Sequence, residues 1–233
     1  MIIINFAAKI HMTSLTEENY LKAIYTLIDS ADKKASTNEI AKKMKTKASS
    51  VTDMLKRLNE KGLIDYEKYK TVRITEKGKQ VAISIIRKHR LWEYFLVKSL
   101  NFGWDEVHDI AEQLEHIESA ELTDKLDEFL DFPKFDPHGD PIPNSKGIFP
   151  SRESQKLSEV RVGINLVITG VEDHSPSFLN FLSEMEIELG TELSLKTKHP
   201  FDNSIIVVNP QNQKISLSQK VASNLYIKIK NEN

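Results

Sequence analysis

The chain contains no cysteine. That removes disulfides and thiolate metal ligands, so any metal must be held by imidazole nitrogen and by oxygen. No apolar run is long enough to span a bilayer. The start lacks the pattern of a cleavable signal: Met1 to Met12 is short and apolar and reads as an extension or a frayed arm, with Met12 an alternative start. The cytoplasm is therefore the expected location. There is no internal repeat, no Gly-rich phosphate loop, no nucleophile pattern and no HExxH zinc-protease spacing. A metal-dependent hydrolase has little to stand on.

There is also little net charge, −2 over 233 residues, but its distribution is uneven. Residues 1–80 carry a net +6, residues 81–150 a net −7, and residues 151–233 are near balance. A basic head followed by an acidic middle points to a polyanion partner for one and a cation for the other. At 39% hydrophobic residues the chain can bury a core, and its length suits one large domain or two to three small ones.

Periodicity gives the elements. Thr16 to Leu27 reads as a helix capped by Thr16, with Leu21, Ile24, Tyr25 and Ile28 on its apolar face. After a polar break at Ser30 to Lys34, Thr37 to Met44 and Ala48 to Lys61 read as two short helices joined by the turn Lys45 to Lys47. Gly62 closes the second. So tight a pair suits helix-turn-helix. Leu63–Glu67 and Val72–Thr75 read as two wing strands with Lys68 to Thr71 at the tip. A long helix follows to about Leu100, then helices over Asp105–Glu118 and Ala120–Leu130, then a Pro- and Gly-rich loop and linker from Phe132 to Ser158. Beyond it the period becomes two: Val160 to Ile168, Glu192–Lys198, Ile205–Val208, Lys214–Leu217 and Tyr226–Lys230 read as strands, with a helix over Ser177–Met185. The expected fold is mainly α with a small β domain: a winged helix-turn-helix (1–78), a helical dimerisation and metal-binding domain (79–150) and an SH3-like barrel (151–233).

The second helix of the pair is expected to enter the DNA major groove. Lys47, Ser49, Ser50, Thr52 and Asp53 would meet base edges and phosphates, with Lys56 and Arg57 one turn on and Lys68, Lys70 and Arg73 reaching the backbone from the wing. The alternative is a winged helix used for protein contacts.

Val107 to Ile117, VHDIAEQLEHI, places His108, Glu112, Glu115 and His116 at i, i+4, i+7 and i+8, within about 100° of arc on one helix. Ile110, Ala111, Leu114 and Ile117 take the opposite arc. On the preceding helix His89 and Glu93 are also four apart. Two carboxylates and two imidazoles on one stripe, beside a second His/Glu pair, suit a divalent ion. The plain alternative is a solvated polar face with structural histidines, in a DNA-binding regulator that senses no metal.

The stretches RKHRLWEYFL (Arg87 to Leu96), VHDIAEQLEH (Val107 to His116), TEENYLKAIY near the start and FPKFDPHGDPIP (Phe132 to Pro143) resemble the diphtheria-toxin-repressor family, including its manganese transport regulators. The resemblance runs from about Thr16 onward. It implies a primary metal site of Asn19, Glu112, Glu115 and His116, and a second of His89, Glu93 and His108, with His89 joining the first in some members. Longer members add donors matching Asp136, His138 and either Glu172 or Asp173. Manganese-responsive members usually carry a carboxylate at Asn19, and some another at Lys22, which cannot ligate while charged. Iron-responsive members place Cys where Glu112 stands, so an oxygen there implies the harder Mn²⁺. Fe²⁺ is the alternative, and Zn²⁺ or Co²⁺ can substitute in vitro. The implied activity is a homodimeric, non-enzymatic repressor of metal-uptake genes on a palindromic double-stranded operator. Without metal, Glu112 and Glu115 are expected to repel and the first helix to lack an anchor.

Overall fold

The computed structural model describes residues 13–29, 35–67 and 71–230. The arm before Thr13, the break at 30–34 and the wing-tip lysines Lys68 and Lys70 lie outside the described residues. Among the described residues no helix is long and apolar enough to cross a membrane.

The first helices are delimited by local caps. Helix α1 spans Leu15–Asp29. Ser14 starts it, not Thr16: Ser14 Oγ accepts from the Glu17 amide at 3.3 Å while the Glu17 carboxylate accepts from the Ser14 amide at 2.8 Å, a reciprocal capping box. Ser36 and Glu39 repeat the device at α2 (Thr37–Lys43). Helix α3 (Ala48–Glu60) follows a turn in which Lys45 takes φ of 49°. Gly62, at φ of 66°, ends it, and the Leu63 amide returns to Leu58 O at 2.9 Å. Leu21, Ile24, Ile40, Leu55 and Leu58 are fully buried, as expected of the inward faces of the three helices.

The wing pairs over fewer residues than its sequence suggests. Strands β1 (Ile64–Asp65) and β2 (Arg73–Ile74) are antiparallel with Ile64 opposite Ile74. Val72 does not extend the hairpin because its amide donates instead to Ala35 O at 3.0 Å. Helix α4 (Glu76–Leu100) matches its prediction. Helix α5 (Val107–Leu114) stops four residues early: the Ile117 amide turns back to Leu114 O at 3.2 Å, and Ser119 already caps α6 (Ala120–Phe129) through the Leu122 amide at 3.1 Å.

The C-terminal segment is one antiparallel sheet with two helices. Its strands are β3 (Gln155–Lys156), β4 (Asn165–Val171), β5 (Glu192–Lys198), β6 (Ile205–Val208), β7 (Lys214–Leu217) and β8 (Leu225–Ile229), in the order β3-β8-β4-β5-β6-β7. Helices α7 (Pro176–Glu184) and α8 (Gln219–Ser223) complete it. Leu166, Ile168, Leu179, Leu195, Val207 and Ile227 fill its core. Sequence reasoning missed β3 and α8 and started β4 too early, since a turn at Val162–Gly163 breaks the alternation that begins at Val160. The architecture is nonetheless the predicted one: winged helix-turn-helix, helical middle, SH3-like sheet domain.

The chain divides into two compact units. The first holds the described residues up to His89 with Leu114–Glu128 and Pro143–Ile148. The second holds Arg90–Gln113, Phe129–Ile142 and the described residues from Phe149 onward.

Candidate metal centres and DNA-binding surface

On α3 the side chains of Val51, Leu55 and Leu58 point into the core, which turns Lys47, Ser49, Ser50, Asp53, Lys56 and Arg57 outward, all exposed. Thr52 is half-buried and its hydroxyl donates to Ala48 O at 3.0 Å. Among the described residues no side chain caps the N-terminus of α3, so its first amides can face solvent or an anion. Lys56 lies 3.3 Å from Asp53. An exposed pair of this kind contributes little to stability, and a phosphate can take the lysine. Arg73 is exposed on the wing.

In the first unit, the acidic and imidazole groups converge on α1. Glu115 is completely buried. Both its oxygens lie 2.7 Å from Lys22 Nζ, and its Oε2 is 2.5 Å from His89 Nδ1. Burial pushes its carboxyl up, but the His89 hydrogen bond and the Lys22 charge outweigh this and hold the pKa below its ordinary value. His116 Nδ1 is 2.7 Å from Glu18 Oε2, and its Nε2 is 3.8 Å from Glu115 Oε1. Among the described residues Asn19 Oδ1 is buried without a hydrogen-bond partner. A buried amide oxygen without a hydrogen bond, on the same helix as Glu18 and Lys22, is a ready donor for a cation. The first helix is thus anchored without metal, by Lys22 and Glu18, against the expectation that it hangs free. Glu18 was missed by sequence reasoning, because only packing distinguishes it from its neighbours Glu17 and Asn19. Glu17 instead pairs with Lys61 at 2.7 Å.

In the second unit, Glu93 is the hub. His108 Nδ1 is 3.3 Å from Glu93 Oε1, and His108 Nε2 is 3.5 Å from Glu112 Oε1. Glu112 is therefore half-exposed beside His108, and its membership of the primary set rests on the resemblance. Ligand atoms of Glu93, Asp136 and His138, all buried, lie within 4.8 Å of one another. The loop carrying the last two is a built turn, not a linker: Asp136 Oδ1 accepts from the amides of His138 at 2.8 Å and Asp140 at 2.9 Å. His138 Nε2 donates to Trp104 O at 2.7 Å, which leaves Nδ1 facing Glu93 Oε2 at 3.7 Å, buried and without a hydrogen-bond partner. A carbonyl fixing one imidazole nitrogen while the other faces carboxylates is the usual support for a metal-ligating histidine. The residues fit a divalent ion with nitrogen and oxygen ligands.

The two terminal-domain candidates are not brought to this cluster. Glu172 bonds Lys156 and the Tyr226 hydroxyl, and Asp173 accepts from the Ser175 amide at 2.9 Å. Their neighbour His174 is, with its ring stacked 4.6 Å from that of His138 and its Nε2 4.0 Å from Asp140 Oδ2. Contiguity with Glu172 and Asp173 was the only signal for it.

These groups predict a pH response. Hydrogen bonds to Glu112 and Glu93 raise His108 to about 9. Burial opposes charge on His138, yet the Glu93 and Asp136 carboxylates raise it to about 9. Burial, then the charges of Glu93 and Asp140, push Asp136 up to about 7. All three pKa values lie above the ordinary ones, 6.5 for histidine and 3.8 for aspartate. Their stabilising contribution is complete below those ordinary values and is lost as pH rises through about 7 for Asp136 and about 9 for the histidines. Metal-free protein is expected to melt at progressively lower temperature from pH 6 to 9, while Mn²⁺ affinity rises over the same range as protons leave the donors. Parallel melts in chelator and in Mn²⁺ check this, and equal slopes in both would refute it.

Residues 12–72 match the family model "Iron dependent repressor, N-terminal DNA binding domain", residues 75–144 the model "Iron dependent repressor, metal binding and dimerisation domain", and residues 155–229 the FeoA domain. The chain is 26% identical over 219 residues to the iron-dependent repressor IdeR of Mycobacterium leprae, a match spanning 89% of this chain and 94% of the relative. It is similar to the solved structure of a manganese-dependent transcriptional repressor in complex with manganese, at 33% identity and a TM-score of 0.81, covering 91% of this chain and 98% of the other. It is likewise similar to ScaR with bound Zn²⁺, at 30% identity and a TM-score of 0.73, covering 91% and 98%. Domain order, donor clusters and full-length similarity agree, and the chain belongs to the diphtheria-toxin-repressor family of metal-dependent regulators.

Proposed function

We propose that this protein is a transcriptional repressor that binds its operator tightly only when divalent metal is bound, with Mn²⁺ the physiological ion and Fe²⁺ second. The observation that carries the reading is the set of buried donors: the ligand atoms of Glu93, Asp136 and His138 lie within 4.8 Å of one another, and Asn19 Oδ1 is buried without a hydrogen-bond partner among the described residues. Similarity to repressors described as iron- and manganese-dependent argues against the two rivals, a metal-independent regulator and a hydrolase. The donors are nitrogen and oxygen alone, which favours Mn²⁺.

Asn19, Glu115 and His116, with Glu18, would hold one ion; Glu93, Asp136 and His138 would hold another. A bound divalent ion supplies positive charge that these groups share. Asn19 and Glu18 ride on α1, whose buried face packs against α2. Their capture therefore fixes the helix-turn-helix relative to Glu115 and His116 within one compact unit. Leu100, Phe129 and Phe132 are exposed apolar side chains, at 52%, 69% and 63%, and we assign them to contact with a second copy. In a dimer the two α3 helices would read half-sites of a palindromic operator, spaced by about 34–36 Å or a multiple. We assign residues 1–78, 79–150 and 151–233 to DNA binding, metal binding with dimerisation, and the SH3-like domain. The working location is the cytoplasm and the targets are metal-uptake genes.

Operator binding titrated anaerobically with Mn²⁺, Fe²⁺ and Zn²⁺ against a chelator tests the reading. Metal is expected to tighten binding by about 5–150-fold, and affinity to fall by about a thousandfold between 50 and 200 mM salt. Binding that ignores the chelator, or a flat salt profile, would sink it.

A further inference from the structure

Lys22 stands out in the first cluster. It is an ammonium group set against side chains suited to binding a cation. Its ammonium lies 2.7 Å from both oxygens of Glu115, a side chain with no solvent exposure, while His89 takes a further position on Oε2 at 2.5 Å. A carboxylate so engaged has few lone pairs left for a metal. The neighbouring donors are not closed in the same way. Asn19 Oδ1, three residues earlier on α1 and so on the same side of the helix, is buried without a partner. His116 uses Nδ1 toward Glu18, and its Nε2 faces Glu115 Oε1 at 3.8 Å. The Lys22 side chain keeps 18% of its exposure, so its flexible stem can carry the charge out to solvent without unfolding α1.

We propose that Lys22 is the resident cation of this site: it holds Glu115 in the metal-free protein, gives it up when an ion binds, and thereby sets the metal concentration at which the protein responds. The inference rests on reading Glu115 and His116 as metal donors. It has two consequences of opposite sign. Lys22 stabilises the metal-free fold by tying α1 to Glu115, and it weakens metal binding by competing for the same oxygens. A lysine that merely braced the site would act in one direction only, and its loss would weaken both.

The test compares wild type, Lys22→Met, Lys22→Arg and Glu115→Gln by Mn²⁺ titration, with free Mn²⁺ read by electron paramagnetic resonance, and by thermal melts in chelator. Methionine keeps the length of the stem without the charge. Lys22→Met is expected to melt lower without metal yet bind Mn²⁺ about tenfold more tightly at the site that Glu115→Gln removes, as the loss of one competing cation at contact distance implies. Lys22→Arg, which keeps the charge, is expected to stay near wild type. If Lys22→Met binds Mn²⁺ no more tightly than wild type while Glu115→Gln still removes a site, the competition is refuted and the metal site stands. If Glu115→Gln binds Mn²⁺ as wild type does, Glu115 is no donor and both ideas fall together.

Discussion

Glu115→Ala is expected to abolish metal-dependent operator binding altogether. Glu115 is the group that His89, Lys22 and His116 share, and no solvent reaches it. Alanine would leave the buried His89 imidazole and the partly exposed Lys22 ammonium without their partner; breaking a fully buried pair costs about 3–5 kcal/mol, and the loss here falls below that because Lys22 can turn to solvent. The metal-free protein should therefore melt lower as well. Glu115→Gln separates the two effects. Its amide oxygen still accepts from Lys22, so most of the stability returns, but the negative charge that draws a divalent ion does not. Operator binding by Glu115→Gln should be weak with or without Mn²⁺. A gel shift in which this variant still needs Mn²⁺ to bind would place the switch elsewhere.

The second large effect is expected at Gly139, which no sequence pattern marks as a metal residue. It has φ of 85°, and a Cβ there would lie 2.2 Å from Thr169 O and 2.5 Å from Gly170 Cα. Neither backbone atom can move alone, because His138 O accepts from the Val171 amide at 2.9 Å and Gly139 O from Arg152 at 2.8 Å. Those bonds lock the loop to β4 and so hold His138 and Asp136 against Glu93. Gly139→Ala combines a left-handed backbone strain of about 1–2 kcal/mol with a main-chain clash, for a total of about 3 kcal/mol or more. It should also lose the Mn²⁺ bound by Glu93, Asp136 and His138 while sparing the Glu115 site. A variant with wild-type melting temperature and full metal stoichiometry would show that the loop has slack the close approach denies.

Much of the candidate site was readable before any fold was known. His89, Glu93, His108, Glu115 and His116 carry donor atoms at helical spacings, and that chemistry survives any detail of packing. The helix stripe was less sound. It assumed one continuous helix through Glu118, whereas α5 ends at Leu114, and Glu115 is buried while Ile117, assigned to the apolar arc, is 37% exposed. A break of one turn rotates everything after it, and periodicity cannot see a break that a capping serine downstream imposes. Asp173 was a fair candidate by type, but its carboxylate is committed to the backbone of Ser175, a local competition that composition does not reveal.

What the sequence settled by itself was the chemistry and the order of parts. The absence of cysteine removes thiolate ligands, the basic head and acidic middle separate the two kinds of partner, and the apolar periods mark the winged helix-turn-helix and the sheet domain. Those features depend on residue type and on spacing along a single element, which are local quantities. Only the tertiary structure decided that Lys22 sits on Glu115, that Glu18 reaches His116, that Asp136 and His138 meet Glu93, and that His174 rather than Glu172 stacks beside them. Each of these pairs residues far apart in the chain, and such meetings are set by how whole elements pack, which no local pattern carries.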